Sequence, residues 1–418
     1  MENSGSKMKI LILTVTAGNG HNACARSMKE KIESCSDAEV KIVDVLEEYS
    51  TKLNVWVANR GYCQSVATML SLYNAFYEMY YKRPAYKRFS CPSQDTAISI
   101  LPGLLKEILT FQPDVIYCTH FYGAIALTDL KLCYPLPCVT VASNLDYVNS
   151  PFWEAGIGVD YFSIANEDFI DECLEEGFKR EQLLLYGLPV DERPLEVKDK
   201  KEARKELGLN EDLFTVMVMF GGGYWSGGLR IFKRLCKALK DRKAQIIVVN
   251  GKNKKGYDKI AKMKFNDNLK VLNVGFTHDI PSYMSCADLI INKLGGTSCT
   301  EALNKSLPML ITETLAAQEK HNLKYMKEKG AVTSFKNGGE LEEKVRYLMD
   351  NREKLDEMSA ATKPLRKRAI SDLAEFILSR PKADYTELLN KNVDLKKVKG
   401  SVKKAVRQAD KQCRKDKR

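Results

Sequence analysis

The chain has 418 residues, 44% of them apolar, which is enough for two substantial cores and, by length, two or three domains. No run approaches the about 18 to 20 apolar residues of a membrane-spanning helix, and the first residues lack the apolar stretch of a signal peptide. The net charge is +11, but residues 391–418 hold twelve Lys or Arg against three Asp, so +9 lies in the tail and the body, at +2, is nearly neutral. Twelve cysteines are scattered without a C-x-x-C pair, as suits reduced thiols, and a cytoplasmic protein is expected. The four histidines have no partner at metal-ligand spacing, so no metal ligands are expected.

In chain order, Lys9–Leu13, Val40–Val43, Asp114–Cys118, Cys138–Ala142, Tyr161–Ala165 and Leu183–Tyr186 read as strands with helical stretches between, a succession of βαβ units. After the first strand, Gly18-Asn19-Gly20-His21-Asn22-Ala23 satisfies G-x-G-x-x-A, with Asp44 ending the next strand. That is a dinucleotide fingerprint, and a nicotinamide oxidoreductase is one reading of it. A histidine in so tight a turn is better suited to proton transfer, since its ordinary pKa lies near ~6.5. Residues 52–90 break the rhythm and crowd aromatics together. Tyr73, Phe76, Tyr77, Tyr80 and Tyr81 share one helical face, which either packs a core or lines an acceptor or lipid surface. Thr119-His120-Phe121-Tyr122 follows a further strand.

The pattern breaks at Gly187-Leu188-Pro189-Val190, and the charged stretch beyond it reads as a linker over 191–200. A second βα series follows, with strands at Phe214–Phe220, Gln245–Asn250, Leu269–Val274, Asp288–Asn292 and Pro308–Thr312. Two doubly wound domains of this kind are expected to place a ligand cleft between the carboxyl ends of their sheets. In the second domain, Gly221, Gly222 and Gly223 follow the first strand, in a loop whose amides can face a diphosphate. Phe276 lies after a later strand, where a base could stack or bond to the loop backbone. Lys293-Leu294-Gly295-Gly296-Thr297-Ser298 then leads from a buried strand into a helix carrying Glu301. Unpaired amides at that helix start suit a diphosphate, and Glu301 suits a pair of ribose hydroxyls. Gln318 and Glu319 open another helix, with Asn322 a turn further, offering donors and acceptors for sugar hydroxyls.

Together these motifs resemble the GT-B glycosyltransferases of the group containing monogalactosyldiacylglycerol synthases and processive diacylglycerol glucosyltransferases. More distantly they resemble the peptidoglycan lipid-intermediate N-acetylglucosaminyltransferase. The resemblance runs from about residue 8 to about residue 375. It rests on Gly18–His21, Gly187–Val190, Phe220–Gly223, the 293–303 stretch and Gln318–Asn322. It implies an α/β protein of two Rossmann-like domains, an acceptor-side domain over 1–190 and a UDP-sugar domain over 201–370. A helical segment, 371–390, is expected to return to the first domain, ahead of the basic tail.

The resemblance further implies that UDP-glucose or UDP-galactose is a co-substrate, no other cofactor being needed, and that diacylglycerol or a related lipid is the acceptor. Transfer would invert the anomeric carbon without a metal. Glu301 would hold the ribose, and Gly295, Gly296, Thr297 and the 221–223 loop the diphosphate. Gln318 and Glu319 would take the hexose, with Gly20, Phe276 and Lys293 completing the donor set. His21 would be base or acceptor orienter and Asp146 the second candidate. Leu145 stands where the family has a threonine before the acid, so the division of base duty between the two is open. His120 would line the acceptor pocket. Leu395, Val398, Val402, Ala405, Val406 and Ala409 form one stripe in the basic tail, an arrangement that suits an anionic membrane on the inner face of the cell membrane. Nucleic acid is not expected, because the tail lacks aromatics. Rival readings are transfer to another lipid or polyprenyl acceptor, a UDP-sugar 2-epimerase, and a UDP-sugar sensor without turnover.

Overall fold

The structure, a computed structural model, describes residues 7–16, 20–56, 69–81, 92–148, 150–193, 199–219, 227–313 and 315–416. It divides into two compact units, one formed by 1–64, 75–190 and 368–418, the other by 65–74 and 191–367.

The first unit is built on six strands: β1 (Lys9–Thr14), β2 (Glu39–Asp44), β3 (Val115–Cys118), β4 (Val139–Ser143), β5 (Tyr161–Ser163) and β6 (Leu183–Leu184). They pair in the order β2-β1-β3-β4-β5-β6, every pair parallel. Parallel strands covered by helices on both faces read as continuous apolar runs, and β1 buries Ile10 to Leu13 almost completely. Helix α1 (Gly20–Cys35) lays Cys24, Ala25, Met28 and Ile32 on that sheet.

The chain returns to this unit at its end. Ile370, Leu373, Ala374 and Ile377 of a helix over Ala369–Leu378 join the same core, each larger side chain contributing roughly 1.5–3 kcal/mol by burial. A strap beyond it is tied down where Asp114 Oδ1 accepts from Ala383 N at 2.9 Å and Tyr385 donates to Pro113 O at 2.7 Å.

The second unit holds β7 (Phe214–Met219), β8 (Ala244–Val249), β9 (Leu269–Val274), β10 (Leu289–Asn292), β11 (Met309–Thr312) and β12 (Val332–Phe335). Their order is β12-β11-β10-β7-β8-β9, all parallel. Counted from β7 this is 3-2-1-4-5-6, the dinucleotide-fold order. Strand β12 is the one that hydropathy does not announce: Val332-Thr333-Ser334-Phe335 is short, half polar and at the sheet edge. In such sheets the switch point lies where the winding reverses, here between β1 and β3 in one unit and β7 and β10 in the other.

One expectation changes here, and the core reading of the aromatic face holds for Tyr77. The tail forms a helix over Val398–Asp416, but Val398, Val402 and Val406 are buried. Their helix packs on the helices Pro92–Phe111 and Phe121–Lys131 of the first unit. The stripe is therefore a core contact and not a membrane-inserting face, whereas Lys399, Lys403, Lys404 and Arg407 stay exposed. In the aromatic helix Leu70–Tyr81, Tyr77 is core and meets Phe152 edge-on at 6.0 Å, while Leu72 and Met79 on the same helix are exposed. The side chains of Tyr73, Phe76, Tyr80 and Tyr81 lie outside the described residues.

Candidate functional site

In the first unit, residues after three neighbouring strands gather at the carboxyl edge. His21 is the second residue of α1, following β1, so it belongs to the helix's first turn and not to the loop. Gly20 opens that helix; Gly18 and Asn19 lie outside the described residues. The turn is held by a relay of side chains. Thr119 donates to Thr14 Oγ1 at 3.0 Å, Thr14 to Asn22 Oδ1 at 2.8 Å, Asn22 to Thr16 Oγ1 at 2.8 Å, and Thr16 to Asp44 Oδ2 at 2.6 Å. Asp44, the fingerprint acid, also caps the next helix through Leu46 N and Glu47 N. Its carboxylate thus secures the turn rather than standing open for a cofactor ribose.

His21 Nδ1 lies 2.6 Å from Thr119 O. A carbonyl only accepts, so Nδ1 carries the hydrogen and Nε2 keeps its lone pair. Burial lowers the His21 pKa, the Thr119 bond opposing. The imidazole is therefore neutral at pH 7, the form a base requires. His120, after β3, lies beside it with ring centroids 4.6 Å apart. Asp146 sits in the loop after β4, where its N–H donates to Asn144 Oδ1 at 3.2 Å.

In the second unit, Gly295 caps a helix, α2 (Gly296–Asn304), without supplying a side chain. No acceptor among the described residues takes the amide hydrogens of Gly296, Thr297 or Ser298. Such an end attracts anions by its free donors and its dipole. Asn292 fixes the approach, accepting from Lys293 N at 2.8 Å and donating to Ser298 Oγ at 3.1 Å. Glu301 is half-buried on α2. Burial pushes its carboxyl up to about 7; Asp191 adds to the rise and Arg193 opposes it.

Asp191 and Arg193 are the residues that sequence reasoning missed, since they lie in the stretch read as a linker. Arg193 Nε donates to Asp191 Oδ1 and Oδ2 at 3.0 and 2.8 Å, and its NH2 reaches His278 O at 3.4 Å. The pair thereby ties the surroundings of Glu301 to the loop bearing Phe276. That ring is half exposed, with His278 edge-on at 4.9 Å and Lys252 Nζ over it at 5.7 Å. Gln318 and Glu319 stand in the first turn of α3 (Ala317–Glu328), and Asn322 is buried one turn on. Gly221, Gly222 and Gly223 lie outside the described residues.

Residues 21–190 match the family described as monogalactosyldiacylglycerol (MGDG) synthase, and residues 217–374 match the glycosyltransferase family 28 C-terminal domain. The chloroplastic monogalactosyldiacylglycerol synthase of Spinacia oleracea is 29% identical over 359 residues, 80% of this chain. The match spans 65% of that protein's length. The processive diacylglycerol beta-glucosyltransferase of Bacillus licheniformis is 26% identical over 378 residues, covering 88% of this chain and 93% of that one. Among solved structures, Acinetobacter baumannii MurG aligns with a TM-score of 0.55 and 14% identity over 89% of this chain and 99% of its own. The UDP complex of S. aureus MnaA gives 0.56 and 14% over 90% and 100%. Likeness at such identity is likeness of fold, and it matches the two Rossmann-like sheets.

Proposed function

Given that the chain belongs to the GT-B glycosyltransferase family of monogalactosyldiacylglycerol synthases and processive diacylglycerol glucosyltransferases, we propose that it moves glucose or galactose from a UDP-sugar onto diacylglycerol. The observation that carries the reading is His21: its hydrogen is committed to Thr119 O, which leaves Nε2 as a neutral base. The acceptor hydroxyl attacks the anomeric carbon and its proton passes to His21 Nε2. The bond from that carbon to the diphosphate oxygen breaks, and UDP leaves with the electron pair, inverting the centre. The open amides of α2 offset charge developing on the diphosphate, so the step needs no divalent cation. Glu301 accepts from the ribose hydroxyls.

The acceptor is a membrane lipid, and the exposed Lys399, Lys403, Lys404 and Arg407 suit docking on an anionic surface. Among the described residues no helix is long and apolar enough to cross a membrane. The attraction of these cations to anionic lipid supports a peripheral protein on the inner face of the cell membrane.

The test is UDP release from UDP-glucose and UDP-galactose, with and without diacylglycerol in anionic vesicles. Release that depends on diacylglycerol supports the reading and identifies the donor. Conversion of the sugar without acceptor, as an epimerase would show, overturns it, and so does binding without any turnover.

A further inference from the structure

His21 and His120 are held in opposite tautomers. The first donates from Nδ1 to Thr119 O. The second caps the helix Phe121–Lys131, its Nδ1 accepting from Tyr122 N at 3.2 Å. A ring nitrogen that accepts an amide hydrogen carries none of its own, so neutral His120 holds its hydrogen on Nε2. Neither Nε2 has a hydrogen-bond partner among the described residues. The two rings stand edge to face with centroids 4.6 Å apart. One free Nε2 is therefore a lone pair and its neighbour a hydrogen.

The rings are also fixed in place. Thr119 is fully buried, with its N–H on Leu13 O at 3.0 Å, which immobilises the carbonyl that orients His21. Tyr122 stacks on His120 at 5.0 Å and Phe121 lies at 4.1 Å. Burial holds the His120 pKa well down, and the neighbouring His21 adds to this, so a proton on one ring disfavours a proton on the other.

We propose that His120 is a second functional imidazole of the acceptor site, donating a hydrogen bond from Nε2 to the hydroxyl oxygen whose proton His21 removes. This rests on the transferase reading above. During transfer the hydroxyl proton moves to His21 Nε2, the oxygen bonds to the anomeric carbon and UDP departs. The His120 hydrogen stays on its ring and steadies the oxygen as it loses its own. The pair also selects for the acceptor: the atom bound must both give and receive a hydrogen bond, as an alcohol does and an ether or ester oxygen does not.

Two measurements test this. Nitrogen-15 spectra of the free wild-type protein, assigned with single-histidine variants, should show His21 protonated at Nδ1 and His120 at Nε2. A His120 protonated at Nδ1 overturns the proposal, whatever the reaction proves to be. In kinetics, His120→Asn keeps an acceptor for Tyr122 N but has no hydrogen at the Nε2 position. It should lower kcat by about 100-fold, with the melting temperature and UDP affinity unchanged. His120→Gln, whose amide reaches that position, should recover part of the loss. Full activity in His120→Asn overturns the donor role. A wild-type protein that transfers sugar to no lipid defeats the transferase reading instead, and the tautomer result separates the two failures.

Discussion

Lys293 Nζ lies 2.6 Å from Glu319 Oε1, joining the turn after β10 to the first turn of α3. The other carboxylate oxygen accepts from Ala316 N at 3.3 Å. Glu319 is thus a helix cap and a counter-ion at once, with both oxygens engaged. The Lys293 side chain, one-third exposed, remains open to an anion at the start of α2. We expect Lys293→Met to weaken UDP binding about fivefold, an effect of ~1 kcal/mol for a partly exposed pair, and to leave uridine binding unchanged. Equal UDP affinities by titration calorimetry would remove Lys293 from the donor site.

Glu301 makes donor binding pH-dependent. Burial and Asp191 raise its carboxyl to about 7 against the pull of Arg193. Only the ionised form can accept from both ribose hydroxyls, so protonation competes with UDP. Affinity should level off about one unit above pH 7 and fall below it, approaching tenfold per unit, a slope that Glu301→Gln abolishes at a uniformly weaker level. Arg193→Ala should move the break upward. A flat wild-type profile between pH 6 and 8 contradicts the ribose assignment.

His21→Ala should reduce kcat by about 10²- to 10⁴-fold while UDP affinity stays at the wild-type level. Because burial lowers the His21 pKa, the base stays neutral to lower pH than an ordinary histidine. The acid limb of kcat should therefore fall below pH ~6.5. Retention of full activity would hand the base role to Asp146.

What the sequence announces follows physical lines. Strands β1, β7 and β10 are legible because burial on both faces writes them as unbroken apolar runs. His21 and Glu301 are legible because each lies at or soon after a glycine-marked strand-to-helix turn. Arg193 is not: nothing in its charged surroundings says that it reaches His278 O, 85 residues on. The tautomers of His21 and His120 depend on which backbone group faces each ring, which hydropathy does not encode. Periodicity reveals the valine stripe of the tail but not what covers it.

Asp129 is a buried carboxyl raised to about 7, chiefly by burial, with Gln94 Nε2 at 3.0 and 3.3 Å from its two oxygens opposing the rise. Among the described residues, Gln94 Oε1 is buried without a hydrogen-bond partner. A raised carboxyl favours the protonated native state, so stability is full below the unfolded pKa and declines as pH climbs through 7. Asp129→Asn removes the buried charge and offers an amide hydrogen to Gln94 Oε1. We expect it to stabilise the protein by on the order of 2 kcal/mol at pH 8, raising Tm by several degrees, with the gain shrinking near pH 5. An equal or lower Tm at pH 8 would show that the native state satisfies the Asp129 carboxylate and that its burial costs no stability.

The tail separates two roles on one helix. Its valines are buried against the first unit, and its lysines and arginines face outward. Binding to lipid should then come from charge alone. Replacing Lys399, Lys404 and Arg407 by Gln should lower partition onto anionic vesicles by ~1 kcal/mol per charge and remove most of its salt sensitivity, with Tm unchanged. Val402→Ser should do the opposite, lowering Tm while leaving partition intact, because it removes a core contact worth about 1–2 kcal/mol. If the valine change abolished vesicle binding at unchanged Tm, the stripe would have to leave the protein and enter the bilayer.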